Sequence, residues 1–399
     1  MASGLALVCA AAVVLIFALA GGALAAPWWW LTNDQPPVID AQTPTAPVRA
    51  TTRTAVRVRA PAGVGSAVLA SASIDGAALP VATDRAEYDM QIDTTALRDG
   101  AHVLRLEAVD TSRRRNRAAI ERPLTTDNTP PGVTVERTPE VQRAGQPAVV
   151  RLTVSEPGEV RAEWENASLP LLPGAAGPLS RLGLIAVPPT HAGGRALLRV
   201  QALDVAGNAR DEQIEVTVEA VTLPRQNLVV PAALAALATG PVASAEAAQL
   251  DALTRAVRPE RLWSGEFRAP LALPGARTTG FGDRRDYTDG YVAAHAGYDV
   301  AAPERTPVLA VAQGIVVFAG ALQQRGTALV LDHGWGVYSL YGHLSELRAR
   351  VGESVAQGQT IGLVGNTGLS TGPHLHWEIR LRGQPIDPDA WIALSRSIP

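Results

Sequence analysis

An internal repeat of 94 residues constrains the fold of this chain more than any other feature. The stretch "TNDQPP" at 32–37 recurs as "TDNTPP" at 126–131, and "LRLEAVD" at 104–110 recurs as "LRVQALD" at 198–204, with the same offset in both pairs. Within each unit, apolar and polar side chains alternate with the period of a half-buried strand, and Pro, Gly and Asn interrupt the runs. The chain therefore contains two copies of one unit built from short strands.

The two copies are predicted to be β-sandwich domains, over residues 32–125 and 126–222. Their length, their short strands and the ending "ALDVAGNARD" of the second copy resemble bacterial immunoglobulin-like domains. That resemblance implies a role in spacing or adhesion rather than in catalysis.

An uncharged apolar stretch covers residues 5–26, and three tryptophans follow it at 28–30. A helix of that length, at ~1.5 Å per residue, crosses a hydrocarbon core of ~30 Å, and tryptophans are common at the membrane interface. The segment 1–31 is therefore predicted to meet a membrane, either as an uncleaved anchor or as a secretory signal with a cleavage site in "GGALAAP". In both cases the rest of the chain is expected outside the cytoplasm.

Residues 223–264 change character, because Ala and Leu recur there with helical spacing. Ser244 precedes Ala247 by three residues, and Glu246 stands where the first turn of a helix would lie. The segment is predicted to be a short helical connector that packs against a neighbouring domain.

Charge and cysteine content exclude several kinds of site. The chain has 35 Lys and Arg against 38 Asp and Glu, so no electrostatic reason favours nucleic acid as a partner. Its one cysteine lies in the apolar N-terminal stretch, which excludes an intrachain disulfide and a cysteine-based zinc site. A metal ion must therefore be held by His, Asp or Glu.

Histidines are concentrated near the C-terminus, where five of the seven follow residue 290. In "PHLHWEIR" the alternation predicts a strand, on which His374 and His376 face the same side about 6.6 Å apart. Upstream, "HAGYD" supplies His295 and Asp299, and Gly297 between them disfavours a continuous helix. Two imidazoles and a carboxylate, with a fourth position left to water, are typical of a catalytic zinc site. If one histidine of the H-x-H pair binds the metal, the other is close enough to be either a second ligand or an acid/base.

Together with "TGFGDRR", "YGHL" and the glycine-bounded runs "LAVAQGIVVFAG" and "GTALVLDHG", these motifs resemble the M23 metallopeptidases. This is the lysostaphin and LytM type of peptidoglycan endopeptidase. The resemblance implies a small antiparallel β-sheet with a substrate groove over residues 265–399. The fold class of the whole chain is then mainly β, with an N-terminal membrane helix, two immunoglobulin-like sandwiches, a helical connector and a zinc peptidase domain.

The resemblance also implies roles for five residues. His295, Asp299 and His376 correspond to the zinc ligands of the family. His343, in "YGHL", and His374 correspond to the catalytic histidines on the open side of the metal.

Other residues near these motifs are assigned smaller roles. His333, in "DHGWG", is expected to be structural, and Glu378 is not expected to be catalytic although it shares a strand face with His376. Five loop residues are expected to shape the groove: Gly365, Asn366, Thr367, Gly368 and Gly372. Arg284 or Arg285 is expected to meet the substrate.

The function predicted from the sequence is a zinc endopeptidase that cuts peptide bonds in peptidoglycan cross-links outside the cytoplasmic membrane. One alternative is a non-catalytic LytM-type regulator that binds other cell-wall hydrolases, against which all five site positions count. Another is an adhesin or scaffold whose repeats carry the function. The sequence carries no signal of oligomeric state.

Overall fold

The structure, a computed structural model, describes residues 34–81, 85–227, 230–272, 276–287 and 289–398. The predicted membrane segment lies outside these residues. Across the ranges just given, none of the helices is long and apolar enough to cross a membrane. Strands greatly outnumber helices there, so the prediction of a mainly β protein is confirmed.

The chain forms two compact units. The first comprises the residues up to Pro131 together with Leu203–Ala209, and the second comprises Gly132–Ala202 together with the residues from Arg210 onward. The second unit thus combines most of the second repeat with the connector and the C-terminal region. The predicted boundaries at residues 125, 222 and 264 stay predictions.

Two antiparallel sheets form the first unit and enclose one apolar core. One sheet has the order β1-β2-β5, with β1 (Val38–Ala41), β2 (Thr51–Arg59) and β5 (Glu87–Asp93). The other has the order β4-β3-β6-β7, with β3 (Ala67–Ile74), β4 (Ala77–Leu79), β6 (Gly100–Asp110) and β7 (Arg117–Thr126). Along β6, Leu104 and Leu106 are buried, whereas Val103, Arg105 and Glu107 are exposed or half-buried, as the alternation predicts.

The second repeat also forms two sheets around a shared core. The first has the order β13-β14-β10-β8, with β8 (Val133–Thr138), β10 (Pro147–Val154), β13 (Leu171–Pro173) and β14 (Ser180–Ala186). The second has the order β12-β11-β15-β16-β9, with β9 (Gln142–Arg143), β11 (Gly158–Trp164), β12 (Ala167–Ser168), β15 (Gly194–Asp204) and β16 (Ala209–Glu219). The two-sheet arrangement matches the predicted sandwiches, and their immunoglobulin-like character stays a prediction.

The C-terminal domain is built on one large sheet with the order β18-β21-β29-β25-β24-β23-β27 and with β30 paired to β29. Its strands are β18 (Ala276–Thr279), β21 (Tyr298–Ala301), β23 (Gly314–Leu322), β24 (Gly326–Asp332), β25 (Val337–Gly342), β27 (Ser354–Val355), β29 (His374–Leu381) and β30 (Gln384–Ile386). All pairs in this sheet are antiparallel, as predicted.

Two small sheets complete the domain. One has the order β22-β28-β26, with β22 (Pro307–Leu309), β26 (Leu344–Leu347) and β28 (Thr360–Val364). The other has the order β17-β19-β20, with β17 (Arg225–Asn227), β19 (Arg284–Asp286) and β20 (Val292–Ala294), so the start of the connector pairs with the C-terminal domain.

Helices are few. The predicted connector contains a 3-10 helix at Ala232–Leu237 and the helix α1 at Gly240–Thr254. Because α1 begins at Gly240 with Pro241 in its first turn, Glu246 lies in its interior rather than in the first turn. The helix α2 (Pro388–Ser395) is capped by Asp387, whose side chain accepts hydrogen bonds from two backbone N–H groups.

One outer face of the second sandwich packs against the C-terminal domain. On β10, Val150 and Leu152 point into the sandwich core, whereas Val149 belongs to the apolar cluster that contains Trp391 of α2. Arg151 on the same strand donates a hydrogen bond of 2.6 Å to the carbonyl of Ser397. The first four residues of β10 are therefore buried on both faces, which explains the continuous apolar run that opens this strand.

Candidate metal centre

The register of β21 against β29 brings two motifs of the C-terminal region together. Asp299 on β21 lies directly opposite His376 on β29, and Ala301 lies opposite His374. The two histidines of the H-x-H motif therefore face the same side of the sheet, as the strand period predicts. On the other flank of β29, Gly342 lies opposite His376, so the chain beyond β25 passes close to the same point.

His295 reaches this point because Gly297 allows a close approach of two chain segments. A Cβ atom on residue 297 would lie 2.2 Å from the carbonyl oxygen of Trp377 on β29. The backbone of His295 is also fixed by hydrogen bonds of 2.8 Å with Gly282 and with Asp283. Glycine in the third position of "HAGYD" is thus required by packing.

Three potential ligand atoms lie close together where these segments meet. We call the residues that carry them, His295, Asp299 and His376, the convergent set. His295 Nε2 lies 3.0 Å from His376 Nδ1 and 3.2 Å from Asp299 Oδ1, and His376 Nδ1 lies 2.8 Å from Asp299 Oδ1. All three side chains are buried. Two imidazole nitrogens and one carboxylate oxygen gathered at one point are a donor set that fits a zinc ion with an open fourth position.

The far side of each of these side chains is held by another group. His295 Nδ1 donates to the carbonyl of Gly280 at 2.8 Å, and His376 Nε2 bonds to Glu378 Oε1 at 2.8 Å. Arg285 donates to Asp299 Oδ2, the oxygen that faces away from the histidines. Such bonds orient metal ligands and fix the tautomer of each histidine. Glu378 and Arg285 therefore belong to the site without being part of the convergent set.

Protonation of the three groups follows from burial and from their mutual contacts. Burial lowers the pKa of His295 to about 4. Burial alone would raise the pKa of Asp299, but its interactions with His295, His376 and Arg285 hold this pKa well below 3.8. Burial also opposes protonation of His376, but its bonds to Asp299 and Glu378 outweigh that effect and raise its pKa. His295 and Asp299 thus have the neutral and ionised forms that bind a metal ion.

His343 and His374 lie beside the convergent set, with ring centroids 4.6 Å apart. His343 falls between β25 and β26 with a φ of 57°, a left-handed conformation that is uncommon for a residue other than glycine. Its Nδ1 donates to the carbonyl of Thr367 at 2.7 Å, and Nδ1 of His374 donates to the carbonyl of Gly372 at 2.8 Å. The Nε2 atom of each ring is therefore left as the proton acceptor of the neutral form.

Two observations separate His343 and His374 from the convergent set. His374 Nε2 lies 3.7 Å from Asp299 Oδ1, further than the ligand atoms of His295 and His376. Burial and then the neighbouring His374 and His376 lower the pKa of His343 well below 6.5, so its ring is neutral at pH 7. A neutral imidazole beside a metal site is able to accept a proton.

His333 lies apart from this group, as expected of a structural residue. It is fully buried, and its ring nitrogens bond to the carbonyl of Gln313 at 2.8 Å and to the hydroxyl of Ser339 at 2.7 Å. Both ring nitrogens are therefore used within the fold.

A cleft of about 420 Å³ opens beside the convergent set and is lined by His295, His343 and His376. The helix α1 contributes Ala243 and Ala247 to its wall. A second cleft, of about 280 Å³, is lined by His374 and His343 and by Gly372, one of the five residues predicted to shape the groove. The five histidine and aspartate positions thus border open space large enough for a peptide.

Residues 293–388 match the model of Peptidase family M23. The C-terminal domain belongs to peptidase family M23. The match includes the five positions that the sequence motifs single out. It begins after the connector, so α1 and Arg285 lie outside the matched range.

Curated proteins resemble the M23 domain of this chain at high identity. Over 94 residues it is 49% identical to the DD-carboxypeptidase/endopeptidase Mpg of Neisseria meningitidis, a region that covers 24% of this chain and 22% of that protein. The peptidoglycan DD-endopeptidase ShyA of Vibrio cholerae is 42% identical over 109 residues, which are 27% of this chain and 25% of ShyA. The murein hydrolase activator EnvC of Escherichia coli is 42% identical over 96 residues, which are 24% of this chain and 23% of EnvC. The chain matches about a quarter of the length of these relatives.

Proposed function

We propose that the chain is a zinc-dependent endopeptidase that hydrolyses peptide bonds in peptidoglycan cross-links. The observation that carries the proposal is the convergence of His295 Nε2, Asp299 Oδ1 and His376 Nδ1 to within 3.2 Å of one another. His343 and His374 next to this set supply the groups for proton transfer. Zinc is the metal that best accepts imidazole and carboxylate ligands together in a tetrahedral site with one open position.

The division of labour follows from the hydrogen bonds of each side chain. A bound zinc ion supplies Lewis-acid polarisation of the scissile carbonyl and acidifies the attacking water. His343 and His374 have their Nδ1 atoms engaged by backbone carbonyls, so each presents Nε2 to the reaction. We assign to these two atoms the acceptance of the water proton. The Nε2 atom that has taken up this proton can then donate a hydrogen bond to the developing oxyanion and later pass the proton to the leaving amine.

The choice of peptidoglycan rests on the relatives of the M23 domain, since ShyA is named for that substrate and EnvC for murein hydrolysis. A substrate of this kind places the domain outside the cytoplasm. Residues 1–31 would then be a membrane anchor or an export signal, and the two sandwiches would space the peptidase domain from the membrane.

Activation of other hydrolases is a second candidate function, and the identity of 42% with EnvC is the observation that favours it. A domain that only binds a partner does not need a complete set of ligand atoms. Here all three ligand atoms and both neighbouring histidines are present and oriented by hydrogen bonds, which favours the enzyme.

The test is muropeptide analysis of cross-linked peptidoglycan treated with the purified full chain, with and without one equivalent of zinc. We expect cross-linked dimers to disappear in favour of monomers, and a chelator to stop the reaction. Release of terminal D-alanine without loss of dimers would instead indicate a carboxypeptidase. If the zinc-loaded chain leaves the walls intact but increases their lysis by an added amidase, the activator function is correct.

A further inference from the structure

The connector helix α1 carries a buried carboxylate that no sequence motif accounts for. Glu246 has an exposed fraction of 4% and points into the C-terminal domain. Its Oε2 accepts the backbone N–H of Gln324 at 2.7 Å, and its Oε1 accepts the backbone N–H of Arg325 at 3.1 Å. The guanidinium of Arg325 also donates to Oε1 at 2.9 Å. A charged group pays a large desolvation penalty in such a place unless it is paired, so Glu246 and Arg325 depend on each other.

Arg325 continues this contact to the metal centre. Its Nε donates to Oε1 of Glu378 at 2.5 Å, and the same oxygen bonds to Nε2 of His376 at 2.8 Å. Nδ1 of His376 is one of the three convergent ligand atoms. An unbroken series of charged hydrogen bonds therefore runs from α1 through Arg325 and Glu378 to the histidine.

A second bond series from the same helix ends on the other oxygen of Glu378. Arg380 donates to Glu378 Oε2 at 2.7 Å, and its Nε donates at 3.2 Å to the hydroxyl of Thr254, the last residue of α1. Glu378 is fully buried between the two arginines, and Arg325 and Arg380 hold its pKa well below 4.5 although burial would raise it. Glu246 in the interior of α1 and Thr254 at its C-terminal end thus both help to fix the carboxylate that supports His376.

We propose that α1 is a structural part of the metal centre and that Glu246 is a positioning residue for the ligand His376. The proposal rests on the proposed function, because it takes the convergent set to be a zinc site. Two effects of Glu246 act in the same direction. It holds Arg325 in the geometry that fixes Glu378, and it balances the two buried arginines so that the region next to a bound cation carries no excess positive charge.

The proposal implies that the segment needed for full zinc affinity is longer than the M23 range and includes α1. The range that matches family M23 begins at residue 293, and the C-terminal domain predicted from the sequence begins at 265. Both starting points lie beyond α1, which ends at Thr254. A fragment with either start lacks Glu246 and Thr254, and it leaves Arg325 and Arg380 without one partner each. The connector is therefore not only a link between domains.

The experiment measures zinc affinity by chelator competition in the full chain, for the wild type and for Glu246→Gln. Removing a group that supports a metal ligand costs about 10–100-fold in metal affinity, and we expect a loss in that range. The visible spectrum of the cobalt-substituted protein is the second measurement. We expect Glu246→Gln to change its band intensities, because His376 is no longer held in one orientation.

Asp332→Asn is the matched control. Asp332 is also a buried carboxylate that accepts a backbone N–H, from Gly334 at 2.7 Å, and that pairs with an arginine of the connector, Arg258, at 3.1 Å. Within the part of the chain that the structure describes, no hydrogen bond joins Asp332 to the convergent set. We expect this variant to lose thermal stability and to keep its zinc affinity and its cobalt spectrum.

The outcomes separate the two proposals. If Glu246→Gln binds zinc as the wild type does, or if Asp332→Asn loses zinc in the same proportion to its loss of stability, the positioning role is wrong and the proposed function stands. If the wild type itself neither binds zinc nor cuts peptidoglycan, both are wrong. A selective loss of affinity and an altered cobalt spectrum in Glu246→Gln alone support the inference.

Discussion

Replacing Gly297 by alanine tests whether the close approach of two segments is what assembles the centre. The new Cβ would lie 2.2 Å from the carbonyl oxygen of Trp377 and 2.9 Å from Cγ of Glu378, whereas ordinary contacts begin near 3.4 Å. The segment that carries His295 must therefore move away from β29 by about 1.2 Å, the difference between the contact of 2.2 Å and the ordinary limit of 3.4 Å. Overpacking of this kind costs about 1–3 kcal/mol of stability.

The effect on function should exceed the effect on stability. Metal ligands tolerate deviations of about 0.2 Å, and a displacement of about 1 Å at a reacting group reduces rates on the order of 100-fold. We therefore expect Gly297→Ala to remain folded at 25 °C but to lose bound zinc to a weak chelator and to hydrolyse cross-links about 100-fold more slowly. Thermal unfolding, elemental analysis and muropeptide release measure the three quantities.

Gly320→Ala is the control for this substitution. Gly320 lies on β23 of the same sheet, and its added Cβ would meet only the ring of Phe318 at 3.4 Å. We expect this variant to keep its zinc and its rate. Wild-type zinc content and wild-type hydrolysis in Gly297→Ala would refute the argument that the approach of residue 297 to β29 sets the position of His295.

Three further predictions concern the histidines near the metal centre, the cleft wall and the buried His333. His376→Ala should lose zinc and activity together. His374→Ala and His343→Ala should keep about one zinc per chain, while the rate of hydrolysis falls by a factor of about 10²–10⁴. Elemental analysis that shows equal zinc loss in His374→Ala and His376→Ala would mean that both histidines of the H-x-H motif are ligands. Ala247→Trp narrows the cleft from the side of α1 and changes none of the ligand residues, so KM should rise at unchanged zinc content. An unchanged KM would mean that substrate does not enter this cleft. Burial lowers the pKa of His333 to about 4, below the unfolded value of about 6.5. The folded chain thus resists a proton that the unfolded chain takes up, and the stability that His333 contributes is present above pH 6.5 and is lost as pH falls toward 4. The free energy of unfolding, measured with denaturant from pH 7.5 to 4.5, should fall less steeply with decreasing pH in His333→Gln than in the wild type. The same dependence on pH in both proteins would contradict this assignment.

Short-range motifs made the convergent set predictable. The H-x-H motif lies on a strand, so its two histidines share a face of the sheet. The H-x-x-x-D motif places Asp299 on the neighbouring strand, where it lies directly opposite His376. The supporting groups were harder to find, because their partners are distant in sequence. Arg284 or Arg285 was expected to meet the substrate, and this stays a prediction. The guanidinium of Arg285 also bonds to Asp299, a role that the sequence did not indicate.

Glu246 shows the limit of reading a helix from its sequence alone. In an Ala-rich segment a glutamate is a good helix former and is normally solvated, so nothing local distinguishes it from Glu residues on an open face. Its partners, Gln324 and Arg325, are 78 and 79 residues away. Only the packing of α1 on the C-terminal domain identifies it. Glu378 was discounted as a catalytic residue, and the structure gives it a bond to His376 instead of a contact with open space.

The burial of Val149 on the outer face of β10 distinguishes the second copy of the repeat from the first. At the 94-residue offset, the inward positions Val150 and Leu152 correspond to Val56 and Val58 of β2, which are buried in the core of the first copy. Val149, in contrast, corresponds to Ala55, which is exposed. The inner face thus carries apolar residues in both copies, while the outer face of the second copy carries a larger side chain in contact with the C-terminal domain. The same strand position therefore meets different physical constraints in the two copies, and we expect substitutions at Val149 to cost more stability than substitutions at Ala55.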